Sequence, residues 1–567
     1  MKYSIKPESP LSHILIIELE LQITQNSMID FKLPIWRPGR YEAANYSKNI
    51  QKIAFEDEDG NVLSYQKKNA STWSISAPKG KVKARYRYFA YQMDAGNSFY
   101  NEDQLYINFV NCILYSEQHL EEECIVTIEL PSDYKLACGL NKRGDNLIAE
   151  NYHDLADSPL IASTTLQCWN YDVNGLPFAI WFQGNHNLEK DKVVSDFKKF
   201  SEYQVNVMGD FPRKEYHFLN QITSYKHYHG VEHGNSTVIC IGPGNELAKP
   251  NLYSEFAGVS SHELFHAWNI LKIRPKEMMP YDFGKPPVFP TGFVAEGFTT
   301  YYGDLFLVQS GVFDYEWYFN ELNTLFQRHF HNGGRLNNSV VDSSLDLWVD
   351  GYQVGAPNKK SSIYVEGAMV ALTLDLMIRT KFSSEKSLNN VMRVLWNDYA
   401  KKNIGYSIDD IQKISEDVYE ESLEQYFQDY VYGVKDKTTL ISDLLKELGC
   451  ELSVKPNQNF LEGCLGLKTT EQDGALVVMS IEEKSLGEQF FSFKDKIKKI
   501  NNENVSKESI KELKPGTYKF LVERQNEEIE FEINATDSSY LKVRKIEKLK
   551  NPSAKQKDLF ENWLNLS

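Results

Sequence analysis

The spacing of hydrophobic residues changes twice along this chain, and each change limits the fold that the segment can adopt. In 17–23 and again in 82–88, apolar residues occupy every second position, as in a strand with one buried face. From about residue 166 to 440 the apolar residues follow a helical period, for example over 254–271 and 294–308. After about 440, short apolar runs and turns are typical of strands again.

These changes predict an α+β multidomain protein, and its 567 residues exceed what one hydrophobic core usually serves. We expect an N-terminal β-rich domain, a β-sandwich, over 1–165 and a mainly helical domain over 166–440. A further β domain over 441–545 and a C-terminal tail over 546–567 complete the prediction.

The net charge argues against nucleic acid as a partner, and the apolar content argues against a membrane-spanning segment. The formal net charge of −16 argues against nucleic acid binding, which needs clustered Lys and Arg. No stretch approaches the run of about 18 apolar residues that a membrane span requires. Seven scattered cysteines without a CxxC pair indicate reduced thiols, and the N-terminal segment has no signal-peptide pattern. We therefore expect a cytoplasmic protein, or a periplasmic or secreted one if a leader has been removed.

The helical block contains the motif HExxH, with His262, Glu263 and His266. Side chains four residues apart lie on one helix face, so both imidazoles can reach one ion. Glu263 lies beside them and suits a general base for a metal-activated water. In the alternative interpretation, Glu263 pairs with a nearby Lys and the two histidines only pack.

A third ligand is available at Glu296, in a segment of apolar and aromatic residues. A carboxylate in such surroundings is costly unless a positive charge compensates it. Two His and one Glu form a known catalytic zinc set that leaves one position open. We therefore expect one Zn²⁺ per chain, held by His262, His266 and Glu296.

Four segments together resemble the glycyl aminopeptidase family of gluzincin zinc metallopeptidases, and the resemblance extends over nearly the whole chain. They are 33–41 (LPIWRPGRY), 230–236 (GVEHGNS), 262–269 (HELFHAWN) and 296–302 (EGFTTYY). The resemblance implies an N-terminal β-domain, a thermolysin-like catalytic domain and a C-terminal PDZ-like domain. It also implies aminopeptidase activity, with a preference for Gly or Ala at the substrate N-terminus.

The resemblance also suggests substrate-binding residues. Glu232 matches the substrate strand of the family, where a carboxylate would bind the α-ammonium and block longer N-terminal extensions. The alternative for Glu232 is a strand-end carboxylate paired with Arg or Lys. Gly230 beside it would let a peptide backbone come close. Tyr364 matches the stretch where related aminopeptidases carry a transition-state tyrosine, although Glu366 replaces the basic residue expected nearby.

Residues 441–545 resemble a PDZ domain, with Leu465-Gly466-Leu467 as its carboxylate loop. One function would be capture of a peptide C-terminus by backbone N–H groups. The alternative is a folded module whose groove binds nothing.

Three functions remain open at this stage. The first is an aminopeptidase acting on peptides with a free N-terminus. The second is a zinc endopeptidase in which Glu232 does not block the cleft. The third is a PDZ-type peptide-binding protein on a peptidase scaffold, which the intact HExxH motif and Glu296 disfavour.

Overall fold

The computed structural model describes residues 1–353 and 355–566 of the chain. Two compact units are present. The first unit comprises Met1–Asp314, Ser344–Gln353 and Lys386–Ser422, and the second comprises Tyr315–Ser343, Val354–Glu385 and Leu423–Ser567. Each unit thus combines segments that are distant in sequence. The predicted domain boundaries at 165, 440 and 545 stay a prediction.

The N-terminal part of the first unit is rich in strands, as predicted. An eight-stranded sheet has the order β13-β14-β11-β1-β2-β8-β4-β5, beside a three-stranded sheet β3-β7-β6 and a four-stranded sheet β12-β15-β10-β9. The elements are β1 (Lys2–Pro7), β2 (Ile14–Ile23), β3 (Ser27–Lys32), β4 (Ile50–Glu56), β5 (Val62–Leu63), β6 (Tyr65–Asn69), β7 (Thr72–Ala77), β8 (Gly80–Phe89), β9 (Phe99–Tyr100), β10 (Leu105–Ile107), α1 (Phe109–Cys112), β11 (Cys124–Ile128), β12 (Lys135–Cys138), β13 (Asn141–Arg143), β14 (Asn146–Ala149), α2 (Tyr152–Ala156) and β15 (Leu160–Ser163).

The predicted alternation determines which face of β2 is buried. Leu19 of β2 lies opposite Ala84 of β8, and both side chains are fully buried. On the other face, Glu18 Oε1 lies 3.3 Å from Arg85 Nε in a partly exposed ion pair. The core of this part is shared by residues from all three sheets.

A five-stranded sheet of order β16-β17-β18-β20-β19 follows in the first unit. Its strands are β16 (Gln167–Val173), β17 (Leu176–Gln183), β18 (Tyr216–Ile222), β19 (His227–Glu232) and β20 (Ser236–Gly242). β18 is parallel to β17 and β20, whereas β19 is an edge strand antiparallel to β20. Because β19 is at the edge, Gly230 and Glu232 lie where a substrate backbone could approach.

Helices dominate the rest of the predicted catalytic block, which confirms the helical domain. They are α3 (Lys190–Met208), α4 (Pro250–Phe265), α5 (Thr299–Gln309), α6 (Tyr315–Phe330), α7 (Val340–Leu345), α8 (Leu347–Asp350), α9 (Ile363–Lys381), α10 (Leu388–Val394), α11 (Ile408–Tyr419), α12 (Glu424–Tyr430) and α13 (Thr438–Glu447). One difference from the sequence pattern bears on function. The predicted helix 294–308 divides into a π-helical turn, Phe293–Phe298, and α5.

The C-terminal residues belong to the second unit. A six-stranded sheet of order β22-β23-β24-β26-β27, with β25 beside β24, is accompanied by the pair β21-β28. The elements are β21 (Cys450–Lys455), α14 (Phe460–Leu465), β22 (Leu467–Gln472), β23 (Ala475–Ile481), β24 (Lys496–Ile500), β25 (Glu503–Asn504), β26 (Gly516–Arg524), β27 (Glu527–Ala535), β28 (Val543–Lys548) and α15 (Ala554–Leu564). The PDZ assignment of this region stays a prediction.

The predicted tail contains α15, which packs by its apolar face inside the second unit. Trp563 is fully buried, with its ring centroid 5.7 Å from that of Tyr318 of α6. Phe560 lies edge-on to Phe319 at 6.0 Å. Aromatic pairs of this geometry add to the free energy gained by burial, so α15 contributes to the stability of the unit.

Two further sequence predictions concern cysteines and membranes. All seven cysteines are free thiols, and all but Cys168 are buried. Among the described residues, no helix has both the length and the apolar content that crossing a bilayer needs.

Candidate metal centre and active site

The two histidines of the HExxH motif converge at the C-terminal end of α4. His262 lies in the last turn, and His266 directly follows the helix. Their Nε2 atoms are 3.1 Å apart. Two nitrogens bound to one zinc at about 2.0–2.1 Å and a tetrahedral angle lie roughly 3.4 Å apart. The spacing therefore suits two ligands of one ion.

Glu296 supplies the third donor. Its Oε2 is 3.5 Å from His266 Nε2, and the donor atoms of His262, His266 and Glu296 all lie within 4.8 Å of one another. Glu296 is in the π-helical turn, a local geometry that is frequent at functional sites. The helix that follows packs closely on α4, because a Cβ at Gly303 would lie 3.1 Å from His262 Cβ.

Asn269 orients this metal centre through both its backbone and its side chain. The Asn269 carbonyl accepts a hydrogen bond from His266 Nδ1 at 2.8 Å. Since a carbonyl can only accept, Nδ1 carries the proton and the Nε2 lone pair faces the other donors. The Asn269 side-chain amide donates to the Val294 carbonyl and to Thr299 Oγ1, on either side of Glu296.

A residue from the N-terminal β-rich part completes the surroundings of Glu296. The Tyr41 hydroxyl donates a hydrogen bond to Glu296 Oε1 at 2.8 Å, and both side chains are buried. The Tyr41 ring packs against Phe289 at 5.6 Å. Tyr41 ends the segment 33–41 that carried the family resemblance, but the sequence pattern alone does not show that it contacts a proposed ligand.

Glu232 and Glu263 lie beside the three donors. The carboxylates of Glu232 and Glu263 and a nitrogen of His266 form a second group whose atoms lie within 4.8 Å of one another. Glu263 Oε2 and Glu232 Oε1 are buried, and neither has a hydrogen-bond partner among the described residues. The structure thus brings Glu232, predicted to bind substrate, next to Glu263, predicted to be the base.

The electrostatics of the group favour a cation. Burial raises the pKa of Glu263 well above its ordinary value, and the neighbouring carboxylates of Glu232 and Glu296 add to the rise. Burial alone would lower the pKa of His266, but the carboxylates of Glu232 and Glu296 outweigh it and raise that pKa to about 10. The raised pKa of His266 reflects the negative potential of these carboxylates, which a divalent ion would compensate.

Two glycines let the main chain approach these carboxylates. A Cβ on Gly230 would lie 2.2 Å from Glu263 Oε1, so β19 can run against the proposed base only without a side chain there. A Cβ on Gly39 would lie 2.3 Å from Glu232 Oε2, and its φ of +77° is in the left-handed region. The backbone of 33–41 thus closes over Glu232.

Tyr364 is the second residue of α9, whose N-cap Ser362 accepts a hydrogen bond from the Val365 N–H. The metal donors belong to the first unit and Tyr364 to the second. The role of Tyr364 at an oxyanion stays a prediction.

Glu366, which replaces the basic residue expected from the family, pairs with two residues of the second unit. Its Oε1 lies 2.6 Å from His329 Nδ1, and its Oε2 lies 3.7 Å from Lys437 Nζ. All three side chains are buried. The acidic residue is therefore compensated locally by an imidazole and an ammonium group.

The donor set fits zinc. The Nε2 atoms of His262 and His266 face each other, and the Glu296 carboxylate beside them is buried. The Glu263 carboxylate lies alongside, and its Oε2 has no hydrogen-bond partner among the described residues, which suits a base that activates water. The described donors leave a coordination position for water or substrate, because a zinc ion takes four ligands and this group provides three.

Two family models match this chain. The family model for the peptidase M61 N-terminal domain matches residues 2–164. The model for the M61 glycyl aminopeptidase matches residues 255–370, which include His262, Glu263, His266 and Glu296. A search of curated proteins finds no match.

One solved structure has the same fold. An aminopeptidase N family protein from Idiomarina loihiensis is 23% identical, with a TM-score of 0.91 over 99% of each chain. An M1 zinc metallopeptidase from Deinococcus radiodurans is 11% identical, with a TM-score of 0.44 over 74% of this chain and 89% of that one. The first shares the fold over the whole length, whereas the second likeness is too low to carry an argument. Residues 2–164 and 255–370 match the two domains of the M61 glycyl aminopeptidase family, and the chain is a metallo-aminopeptidase.

Proposed function

We propose that this chain is a zinc-dependent aminopeptidase that removes N-terminal Gly or Ala from peptides. The observation that most supports this proposal is that the carboxylates of Glu232 and Glu263 and a nitrogen of His266 lie within 4.8 Å of one another. A substrate whose ammonium binds Glu232 would therefore place its first peptide bond close to Glu263. The preference for Gly or Ala follows from the family and not from the geometry.

In this mechanism His262, His266 and Glu296 hold one zinc ion, which when bound polarises the scissile carbonyl and lowers the pKa of water. Glu263 takes the proton of the attacking water and passes it to the leaving amine. Its buried, unpaired Oε2 leaves an acceptor free for that proton. Gly230 keeps the substrate-binding strand close to this carboxylate.

Glu232 determines where the substrate begins. Its buried carboxylate would pair with the α-ammonium of the first residue, an interaction strengthened by low local polarity. The backbone at Gly39 lies directly against Glu232, which leaves little room for residues preceding the first. A peptide without a free amine would therefore leave Glu232 buried and uncompensated, which disfavours its binding.

Two proposals concern the second unit. Tyr364 would donate a hydrogen bond to the oxyanion, a contribution that typically lowers the barrier by about 3 kcal/mol. Residues 441–545 would form a PDZ-like module in which Leu465–Leu467 meets a peptide C-terminus. In support of the module, Gly466 has φ +70° between α14 and the edge strand β22, the place of a carboxylate-binding loop.

The test is the initial rate on glycyl-p-nitroanilide and on its N-acetylated form, each with and without a zinc chelator. Chelator-sensitive cleavage of the free-amine substrate alone is expected. Cleavage of both forms would instead identify an endopeptidase. If neither this pair nor an alanyl and leucyl panel is cleaved, the proposed activity is wrong and a peptide-binding role takes its place.

Glu232→Gln sharpens the test. It removes the charge but keeps the shape, so kcat/KM for the free-amine substrate should fall by about 10- to 100-fold, as for a lost charged hydrogen bond. Glu277→Gln, at an exposed position of the same unit, is the matched control and should leave the rate unchanged. Equal loss in both variants would contradict the role of Glu232.

A further inference from the structure

A cavity of about 560 Å³ lies in the first unit, and Glu232 forms part of its wall. The volume is within the range of small-molecule sites, about 300–1,000 Å³. Residues of the N-terminal part, such as Arg37 and Asp157, line it together with residues that follow α4, such as Lys272. Among the described lining residues, none is a proposed metal donor. Glu232 therefore belongs to both the active site and this cavity.

The charges of the cavity wall are balanced in number and mixed in sign. Four cationic and four carboxylate side chains line it: Arg37, Arg213, Lys272 and Arg274, and Glu150, Asp154, Asp157 and Glu232. Apolar side chains, including Leu271, Met279 and Phe283, form other parts of the wall. A wall of this kind suits a small ligand that carries both charges and an aliphatic group.

Lys272 is the cation of the cavity wall whose charge has the fewest protein partners. No hydrogen bond or ion pair of its ammonium group is found among the described residues, and the side chain is half-buried. Burial lowers its pKa, and the nearby charges of Arg213 and Arg274 lower it further. The Lys272 ammonium thus has no direct anionic partner among the described residues, so this end of the cavity can take an added anion.

Two of the other three cations are already oriented by the protein. The Arg274 guanidinium donates to the carbonyls of Ile270 and Leu271 and stacks 3.8 Å above the Tyr281 ring. Arg213 Nη1 lies 3.7 Å from Asp154, whereas its Nε is buried without a partner. Both side chains are held in place but keep N–H groups for a further acceptor, since a guanidinium has five.

We propose that this cavity binds a free α-amino acid, with its carboxylate on Lys272, Arg213 and Arg274 and its ammonium on a carboxylate of the same wall, such as Asp157. The identification of that ligand as the reaction product rests on the proposed function. Hydrolysis creates a carboxylate on the released residue, beside the carboxylates of Glu232, Glu263 and Glu296. The cations of the cavity wall attract that carboxylate. The cavity would draw the product out of the active site.

The experiment is calorimetric titration of the full-length, zinc-loaded protein with L-alanine and with L-alaninol, which lacks the carboxylate and has no amide bond to hydrolyse. Lys272→Met should raise the Kd of L-alanine by about tenfold or more, the effect of losing one charge-assisted contact, and change that of L-alaninol by less than about twofold. Lys272→Arg keeps the charge and should retain most of the affinity. Lys190→Met, at an exposed position on α3, is the matched control.

Three outcomes would overturn the proposal: no binding of L-alanine, equal L-alanine affinity in Lys272→Met and the unmodified protein, or equal weakening of both ligands. Thermal unfolding of each variant excludes misfolding as the cause. Hydrolysis of alanyl-p-nitroanilide is measured separately. Lys272-dependent binding without hydrolysis would contradict only the proposed function, whereas hydrolysis with Lys272-independent binding would contradict only the cavity site.

Discussion

The Tyr41 hydroxyl donates a hydrogen bond of 2.8 Å to Oε1 of Glu296, and 255 positions separate the two residues in the chain. The other carboxylate oxygen of Glu296, Oε2, faces His266. The N-terminal β-rich part therefore contributes directly to the orientation of a proposed zinc ligand. Partners that orient ligands in this way affect metal affinity as well as the shape of the site.

Replacing Tyr41 by Phe removes this hydrogen bond and keeps the ring that packs on Phe289. Zinc affinity should fall by about 10- to 100-fold, as when other hydrogen-bond partners that orient a metal ligand are lost. Competition with a chromophoric chelator measures the affinity without reference to turnover. Tyr65→Phe, at a half-exposed position in β6, is the control and should bind zinc as the unmodified protein does. Unchanged affinity in Tyr41→Phe would show that the contact does not orient Glu296.

Glu263→Gln should separate metal binding from catalysis. The amide cannot take a proton from water, so kcat should fall by about 10²- to 10⁴-fold while one zinc per chain is retained. Metal analysis and steady-state rates measure the two quantities. Glu255→Gln changes an exposed residue of the same helix and should affect neither. Near-normal turnover in Glu263→Gln would reject Glu263 as the base.

Gly230→Ala adds a methyl group 2.2 Å from Glu263 Oε1, which is closer than the atoms can approach. The Glu263 carboxylate must move, and a displacement of about 1 Å can lower the rate by about 100-fold. We expect a fall in kcat with zinc content unchanged. Gly258→Ala in α4 meets only Asp304 Oδ1, at 3.7 Å, and serves as the control. Full activity in Gly230→Ala would mean that Glu263 need not be held where it lies.

The buried group of Glu366, His329 and Lys437 predicts a pH dependence of stability. Burial alone would raise the pKa of Glu366, but His329 and Lys437 outweigh it, and the pKa is lowered. Burial also lowers the pKa of His329. Both groups therefore bind more protons when unfolded than when folded over the acid range. Their stabilisation is present above about pH 6.5 and is lost progressively as the pH falls through 4.

Glu366→Gln tests this group. It leaves the Lys437 ammonium buried without its carboxylate, at a cost of about 3–5 kcal/mol. The melting temperature should fall at pH 7. Glu385→Gln, exposed in the same unit, is the control. A melting temperature of Glu366→Gln equal to that of the control would contradict the buried pair.

The metal donors of HExxH could be predicted because their spacing is a local property. Residues four apart in a helix share a face whatever the rest of the chain does, so His262 and His266 converge. The alternating strands of the N-terminal part and the helical block follow from the same kind of periodicity. The family resemblance predicted from four short segments is confirmed by the two domain matches.

Contacts between residues distant in the chain could not be predicted in this way. Asn269 and Tyr41 have no spacing that marks them as partners of His266 and Glu296, and the π-helical turn at Glu296 has the apolar pattern of an ordinary helix. Glu366 departs from the family pattern in the sequence, and only the structure pairs it with His329.

The sequence by itself therefore determined which residues can bind metal and which elements carry them, since periodicity depends only on neighbours along the chain. The tertiary structure alone decided what orients those residues, where Glu232 lies relative to Glu263, and that a charged cavity adjoins Glu232. The physical reason is that hydrogen bonds, burial and electrostatic fields depend on distance in space, which packing sets after the local elements have formed.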